Sequence, residues 1–304
     1  MTQTSVLEYS HPDVLVDTKW IEEHLLDKNI RIVEVDYDSQ ANYYLGHVPG
    51  AALLEWKKDI NDDLTRNILS PEKYAQVIRR LGIDHDDTLL ILYGDFNNWF
   101  AAFAFWVFKY YGYANVRLIN GGRKKWIEED RPITKESPPI TEGTFKLLES
   151  FKPNEKIRVY LSNIKNALVS RRKFQIRLVD VRSPAEYNGD ITAPPEYPTE
   201  HAQRAGHIPT AQNVPWAQVL NENGTFKSAR ELRDLYEAKD IRPENEIITY
   251  SRIGERSSHT WFVLKYLLGY PDVKNYDVSW TEWGNLIGNP IEKHAKTGQE
   301  IPEK

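Results

Sequence analysis

The chain has 304 residues, a length typical of about two domains. Its 40% hydrophobic and 27% charged residues are typical of a globular protein, and a net charge of −5 argues against a nucleic-acid partner. Cysteine is absent, which excludes disulfides and thiolate metal sites and removes the strongest nucleophile that proteins have. No apolar run reaches the roughly 18 residues of a membrane helix, and residues 1–17 lack a signal-peptide pattern, so we expect a cytoplasmic protein without a membrane partner.

Short apolar runs alternate along the chain with longer helical patterns. Strands of 4–6 residues between helices of 10–12 residues predict an α/β fold around a mostly parallel sheet. The predicted elements are strands at 31–36, 88–93 and 116–119 with helices at 71–80 and 99–110, then strands at 176–181, 246–250 and 273–276 with helices at 228–238 and 257–268.

The two halves of the chain repeat one pattern. At an offset of 157 residues, segment 91–126 aligns with segment 248–283. Further upstream, GHVPGA (46–51) matches GHIPTA (206–211) at an offset of 160, and each motif predicts a turn followed by a small strand. An internal repeat of this length indicates two copies of one fold.

The repeat also predicts the domain boundaries. The first domain is expected at 1–131 and the second at 157–304, with a proline-containing linker of mixed charge at 132–156. The second half carries about sixteen additional residues near 190–205, whose proline-rich composition predicts a loop.

Two loops follow the central strands of the two halves, at 94–98 and 251–256. Chemistry in open parallel sheets gathers where a strand ends and a helix begins. In the second loop, successive backbone N–H groups can form an anion nest, and the following helix adds positive potential. Gly254 permits a conformation that other residues disfavour, and Arg252 and Arg256 supply positive charge. The first loop has neither arginine nor cysteine, and we expect it to be inert.

Residues YSRIGERSSHTWFVLKYLLGY (250–270) resemble the active-site region of the rhodaneses, the thiosulfate sulfurtransferases. Their loop has the pattern C-R-x-G-x-R or C-R-x-G-x-T, and this chain differs only at the first position, where Ser251 replaces cysteine. The resemblance covers most of residues 14–290. It implies two rhodanese-like domains, each a mostly parallel sheet flanked by helices, related by a pseudo-twofold repeat.

The resemblance implies a ping-pong reaction. A thiolate at position 251 attacks the outer sulfur of thiosulfate, sulfite leaves, and the persulfide passes its sulfur to a thiophilic acceptor, cyanide in the standard assay. No cofactor and no metal are expected. Four residues separate Ser251 from Arg256, whereas the related phosphatases of the cell-cycle type have five, so the loop length favours sulfur transfer. Mercaptopyruvate is an alternative donor, but the loops of those relatives are poorer in arginine.

The resemblance also assigns the site residues by position. Arg182 matches an arginine that holds the anionic end of thiosulfate; the alternative is a surface ion pair with Glu186. Trp99 and Phe100 of the first half either form a pocket wall across the domain interface or are plain core residues. Ser251 takes the nucleophile position. The expected substrate-binding residues are Arg182, Arg252, Ile253, Gly254, Glu255, Arg256 and Ser257.

Three histidines are predicted to be structural. His47 and His207 lie in matching turns of the two halves, which favours a role in the fold over one in catalysis. His259 lies in the helix after the second loop, where a cap or a core contact is expected.

Ser251 predicts that this chain has no sulfurtransferase turnover. A hydroxyl stays protonated at neutral pH, and oxygen cannot carry a persulfide. Either the serine is a deliberate replacement in an active enzyme, which the otherwise intact loop favours, or the protein is a natural inactive paralogue. Such a paralogue would be a module that binds an anion or a partner through the same nest.

Val278 is a second departure from the family pattern. The family has glycine there, as the first half has at Gly121. Because a β-branched residue tolerates positive φ badly, either this loop differs or the position is strained.

Overall fold

The computed structural model describes residues 8–148, 150–170, 175–195 and 199–293. In these ranges the chain forms two parallel sheets flanked by helices, one in each half, so the α/β prediction is confirmed. None of the helices in the described ranges is both long and apolar enough to cross a membrane.

Between residues 8 and 148, the first half forms a sheet of five parallel strands with helices packed around it. The strands are β1 (Leu15–Val16), β2 (Ile30–Asp36), β3 (Ala52–Glu55), β4 (Leu89–Tyr93) and β5 (Val116–Ile119), and the helices are α1 (Thr18–Glu23), α2 (Pro71–Arg80), α3 (Asp95–Tyr110) and α4 (Gly122–Glu128). The order across the sheet is β1-β5-β4-β2-β3. The central strands are aliphatic because both faces of the sheet are covered.

The described part of the second half repeats this arrangement with four parallel strands. The strands are β6 (Ile176–Asp180), β7 (Gln212–Asn213), β8 (Glu246–Tyr250) and β9 (Val273–Tyr276), and the helices are α5 (Leu161–Val169), α6 (Pro184–Asn188), α7 (Ala229–Glu237), α8 (Glu255–Phe262) and α9 (Ser279–Trp283). Their order, β7-β6-β8-β9, matches β3-β2-β4-β5. A single parallel bridge between Arg158 and Asn275 takes the place of β1.

The six strands predicted outside the GHxP motifs are present within one residue at each end, and the helix predicted at 71–80 coincides with α2. In α3, residues 96–98 have positive φ, so regular helix runs from Trp99 to Tyr110, as predicted. The helix after the second loop differs from the prediction. After α8, residues 263–267 form a π-helix, in which the backbone hydrogen bonds span five residues instead of four.

The two halves pack against each other through α3 and α8. The ring of Phe105 meets the ring of Phe262 edge to face at a centroid distance of 4.9 Å, and both side chains are fully buried. Helix α3 is apolar around its whole circumference because it is covered on one side by its own sheet and on the other by the second half. A continuous core therefore crosses the domain interface.

The segment predicted as the linker has no helix or strand in its described residues up to 154. Thr134 pairs with His47 of the first half, and Ile140, Phe145 and Phe151 pack on the first-half core. The domain boundaries inside this segment stay a prediction.

Candidate functional site

The loop from Ser251 to Arg256 joins β8 to α8 at the carboxyl edge of the second sheet. The Ser251 side chain is fully buried, and its Oγ accepts a hydrogen bond of 3.0 Å from the backbone N–H of Gly254. Gly254 has a φ of +97°, and a Cβ atom there would lie 2.3 Å from the carbonyl oxygen of Asp277. Only glycine fits this position without moving the backbone.

Glu255 places its carboxylate inside the same loop. Its Oε2 lies 3.3 Å from the backbone nitrogen of Ile253 and 3.3 Å from the Oγ of Ser251, both of which donate to it. Its Oε1 lies 3.3 Å from the Nε of Arg256. The side chain is 1% exposed, so the loop encloses a negative charge of its own.

Arg256 is held by Glu186 of α6. Two parallel hydrogen bonds of 2.9 and 3.0 Å run from its terminal nitrogens to the two oxygens of that carboxylate. Burial works to raise the pKa of Glu186, but the charge and hydrogen bonds of Arg256 outweigh it and lower the pKa to about 2. The guanidinium also lies 5.7 Å from the ring of Trp99. The orientation of Arg256 is therefore fixed by the fold.

Arg252 connects the loop to the proline-rich insertion. Its Nη1 donates a hydrogen bond of 2.8 Å to the carbonyl oxygen of Thr199, and its own carbonyl accepts from the backbone N–H of Thr281. The Oγ1 of Thr199 lies 3.3 Å from the hydroxyl of Tyr37 in the first half. Thr199 thus lies between the 251–256 loop and the first domain. Residues 196–198 of this insertion fall outside the described ranges.

Arg182 is not a surface residue, so the alternative of a surface ion pair with Glu186 is wrong. Its side chain is fully buried, and its Nη2 donates to Asp180 at 2.6 Å and to the carbonyl oxygen of Gly206 at 2.7 Å. Burial works to lower the pKa of Arg182, yet the charge of Asp180 outweighs it and raises the pKa. The buried Nη1 makes no hydrogen bond in the structure. A role of Arg182 in holding a ligand stays a prediction.

The two first-half aromatics take different positions. The ring of Trp99 meets Trp216 of the second half at a centroid distance of 4.5 Å and lies beside Arg256. The ring of Phe100 packs on Tyr37 and Trp56 inside the first half. Of the pair, Trp99 is the one next to the loop.

Ser257 and Ile253 contact the loop interior through a hydroxyl and a backbone N–H, respectively. The Ser257 hydroxyl lies 2.7 Å from the Oδ1 of Asn275 on β9, and its oxygen lies 3.5 Å from the Oγ of Ser251. The Ile253 side chain is 1% exposed, so its backbone N–H is the part of that residue which faces the loop interior.

The corresponding edge of the first sheet is acidic. Glu34 accepts a hydrogen bond of 2.8 Å from Arg123, and Asp36 accepts one of 3.1 Å from the backbone N–H of Tyr43. Burial raises the pKa of Asp36 to about 9 and those of Glu34 and Asp95 to about 7. At the offset of 157, Asp95 takes the place of Arg252, so a carboxyl group stands where the second loop has an arginine.

The described residues contain no group of three or more His, Cys, Asp or Glu side chains arranged to hold a metal. His47 and His207 each stack on a tyrosine, Tyr43 and Tyr187, with ring centroids 3.7 Å apart. Each also bonds through Nδ1 to the carbonyl of that tyrosine. Their contacts are those of turn-bracing residues.

His259 lies in the core beside the rings of Trp216 and Phe226. Its ring is fully buried, and burial lowers its pKa to about 3. A neutral imidazole in this position makes a core contact, one of the two roles that the sequence predicted.

Val278 does not have the positive φ that a β-branched residue tolerates badly. Val278 has a φ of −74°, whereas Gly121, at the equivalent position of the first half, has a φ of +95°. The next position has positive φ in both halves, +55° at Gly122 and +52° at Ser279. The Ser279 hydroxyl accepts the backbone N–H of Ser251 and donates to the carbonyl of Tyr276. The loop differs from the family pattern, and Val278 is unstrained.

Two residues that contact the loop, Glu186 and Ser279, are not predicted as site residues from the sequence. The sequence indicates Glu186 only as a surface partner of Arg182, although Ser183-x-x-Glu186 is a capping-box signature that fixes the carboxylate at a helix start. The role of Ser279 depends on the hydrogen bonds of its hydroxyl to the loop, which the fold alone brings together.

The chain is similar to known proteins along most of its length. The rhodanese-like domain model matches residues 17–129 and 164–286. Sulfur carrier protein TtuD of Thermus thermophilus is 53% identical over 94% of this chain and 98% of its own length. A Haloferax volcanii protein named "Putative thiosulfate sulfurtransferase" is 48% identical over 92% of this chain and 96% of its own length.

A solved structure has the same fold. The anaerobic ergothioneine biosynthesis enzyme from Chlorobium limicola, in complex with trimethyl histidine, superimposes with a TM-score of 0.79 and 25% identity over 93% of this chain and 71% of that one. The relatives' names and the two domain matches together show a sulfurtransferase scaffold. The chain belongs to the rhodanese-like family and carries two rhodanese-like domains in tandem.

Proposed function

We propose that the protein is a thiosulfate sulfurtransferase scaffold whose sulfur-carrying position is residue 251, and that this chain is inactive because serine stands there. The observation that carries the proposal is the placement of the Ser251 Oγ. It is fully buried at the head of the loop, 3.0 Å from the backbone N–H of Gly254 and at the N-terminal end of α8. Backbone donors and a helix N-terminus stabilise a thiolate in such a position.

With cysteine at 251, the thiolate sulfur would attack the outer sulfur of thiosulfate. A sulfur–sulfur bond forms to the enzyme, the sulfur–sulfur bond of thiosulfate breaks, and sulfite leaves with the electron pair. The loop N–H groups stabilise the persulfide anion until a thiophilic acceptor removes its outer sulfur. A hydroxyl cannot enter this cycle, since its conjugate base is not available at neutral pH.

The test is Ser251→Cys. The expected result is a gain of one sulfur atom after incubation with thiosulfate, measured by intact-mass spectrometry, and thiocyanate formation when cyanide is added. Ser258→Cys is the matched control, because Ser258 is also fully buried in α8 but its hydroxyl donates to the carbonyl of Gly254 at 2.8 Å. A folded Ser251→Cys chain that takes up no sulfur would overturn the proposal.

A second candidate is a natural non-catalytic module that binds an anion or a partner at the same loop. The buried Arg256–Glu186 pair favours it, since this pair keeps the loop ordered without any nucleophile. Thiosulfate binding by calorimetry, together with an inert Ser251→Cys chain, would support this module. Offering mercaptopyruvate to Ser251→Cys in the same assay tests the remaining donor.

A further inference from the structure

The loop interior already contains an anion. The Glu255 carboxylate accepts hydrogen bonds from the Ile253 N–H and the Ser251 hydroxyl, both at 3.3 Å. Those two groups line the space in which the proposed donor would bind. A negatively charged ligand has to share or take that space.

The positive charges around the loop are matched inside the fold. Arg252 and Arg256 carry two positive charges, and Glu186 and Glu255, both buried, carry two negative ones. Arg256 contacts both carboxylates, while the buried Arg182 is paired with Asp180. An incoming dianion therefore meets no surplus positive charge in this set of side chains. Buried charges of one sign repel strongly when nothing compensates them.

The carboxylates of Glu186 and Glu255 differ in the length of their hydrogen bonds. Glu186 receives bonds of 2.9 and 3.0 Å from Arg256 and also caps α6 through Ser183. The three contacts of Glu255 are all 3.3 Å, at the long end of hydrogen-bond geometry. Glu255 is the group that a ligand can displace.

We propose that Glu255 is a specificity-determining residue: its carboxylate occupies the anion nest of the 251–256 loop and selects against dianionic donors. The inference rests on the proposed function of this loop in sulfur transfer. Thiosulfate carries two negative charges, so it either displaces the Glu255 carboxylate or is repelled by it. A monoanionic or neutral donor, such as a sulfane sulfur carried on a thiol, meets less repulsion.

The test uses the Ser251 chain itself and measures binding alone. Calorimetric titrations with thiosulfate, a dianion, and with methanesulfonate, a monoanion of similar shape, are made on the unchanged chain, Glu255→Gln and Glu255→Ala. Glutamine keeps the shape of the side chain and removes its charge. We expect thiosulfate to bind about tenfold more tightly to Glu255→Gln, and methanesulfonate to gain clearly less. Glu255→Ala serves as the second variant should the glutamine chain fail to fold.

Glu244→Gln is the charge-matched control, because Glu244 is exposed. It should leave both affinities unchanged. Equal gains for the two anions would mean that Glu255 acts through its volume and would overturn the proposal. Unchanged or weaker thiosulfate binding, or no binding to any of the chains, would overturn it as well.

The outcome is independent of the sulfur-loading experiment on Ser251→Cys. Sulfur uptake there with no effect of Glu255→Gln on binding would leave the proposed function standing and reject the role of Glu255. Tighter thiosulfate binding by Glu255→Gln with no sulfur uptake by Ser251→Cys would support the role of Glu255 in anion binding and reject the proposed function.

Discussion

At the scale of single residues, the carboxylate of Glu186 accepts hydrogen bonds from two different residues. It accepts from the backbone N–H and the hydroxyl of Ser183, which caps α6, and from both terminal nitrogens of Arg256. Glu186 therefore links the start of α6 to the loop at 251–256. Removing one partner of such a buried pair leaves the other charge uncompensated.

Glu186→Gln should lower the free energy of unfolding by about 3–5 kcal/mol at pH 7, the usual cost of breaking a buried ion pair. Urea unfolding measures it, with the exposed Glu244→Gln as the control. The pKa of Glu186 is lowered in the fold from 4.5 to about 2, so its contribution is present above pH 4.5 and is lost as the pH falls toward 2. The difference between the two chains should shrink over that range. A difference that stays constant from pH 6 to 3 would show that the pair does not provide it.

At the scale of elements, the two sheets present opposite chemistry at equivalent edges. The end of β8 leads into a loop that has backbone donors and arginines, whereas the ends of β2 and β4 bring together Glu34, Asp36 and Asp95. The same strand geometry thus leads to a loop with arginines in one half and to a carboxyl cluster with raised pKa values in the other.

The carboxyl cluster predicts a stability that declines with rising pH. Burial raises the pKa of Asp36 from 3.8 to about 9, so its contribution is full below pH 3.8 and is lost as the pH rises toward 9. Asp36→Asn should flatten the dependence between pH 6 and 9 by roughly 1 kcal/mol per pH unit. Chemical denaturation across that range tests it, with the exposed Asp63→Asn as the control. Parallel curves for Asp36→Asn and the parent chain would contradict the assignment.

The start of α8 depends on one glycine. Gly254→Ala adds a Cβ within 2.3 Å of a carbonyl oxygen at a φ of +97°. Gly112 has a φ of +79° and nothing within 4 Å of the added atom, so Gly112→Ala carries the conformational cost alone. We expect Gly254→Ala to lose about 1–3 kcal/mol more than Gly112→Ala in thermal or urea unfolding, because of overpacking. Equal losses would mean that the backbone near Asp277 yields at no cost.

At the scale of the whole molecule, the two halves share one core. Phe105 of α3 packs on rings of the second half, among them Trp261 and Phe262, whereas Phe108, one turn further along, packs on Tyr74 and Tyr113 of its own half. The contact between α3 and α8 couples two domains that each have a sheet of their own.

This coupling predicts a single unfolding transition for the parent chain. Phe105→Ala and Phe108→Ala should each cost about 3–5 kcal/mol, the usual loss for a buried phenylalanine. Only Phe105→Ala should separate the transition into two, because only Phe105 faces the other half. Calorimetry distinguishes the two cases through the ratio of calorimetric to van't Hoff enthalpy. Two transitions in Phe108→Ala and one in Phe105→Ala would reverse the assignment of the coupling contact.

The sequence by itself determined the repeat, the six main strands and the loop at 251–256. These features depend on residues that are consecutive or evenly spaced, such as the aliphatic run of β8 and the short distance from Ser251 to Arg256. Periodicity and turn chemistry act over such short distances, so they are visible without the fold. The serine at the first position of this loop is visible for the same reason.

Only the tertiary structure decided how the charges of the loop are compensated. Glu186 lies 70 residues before Arg256, and the buried Asp180 rather than a surface glutamate pairs with Arg182. The direction of the Glu255 side chain and the hydrogen bond from the Ser251 N–H to the Ser279 hydroxyl likewise depend on how β8, β9 and α6 meet. Burial makes each such pairing strong, and burial is a property of the packed molecule and not of any short stretch of its sequence.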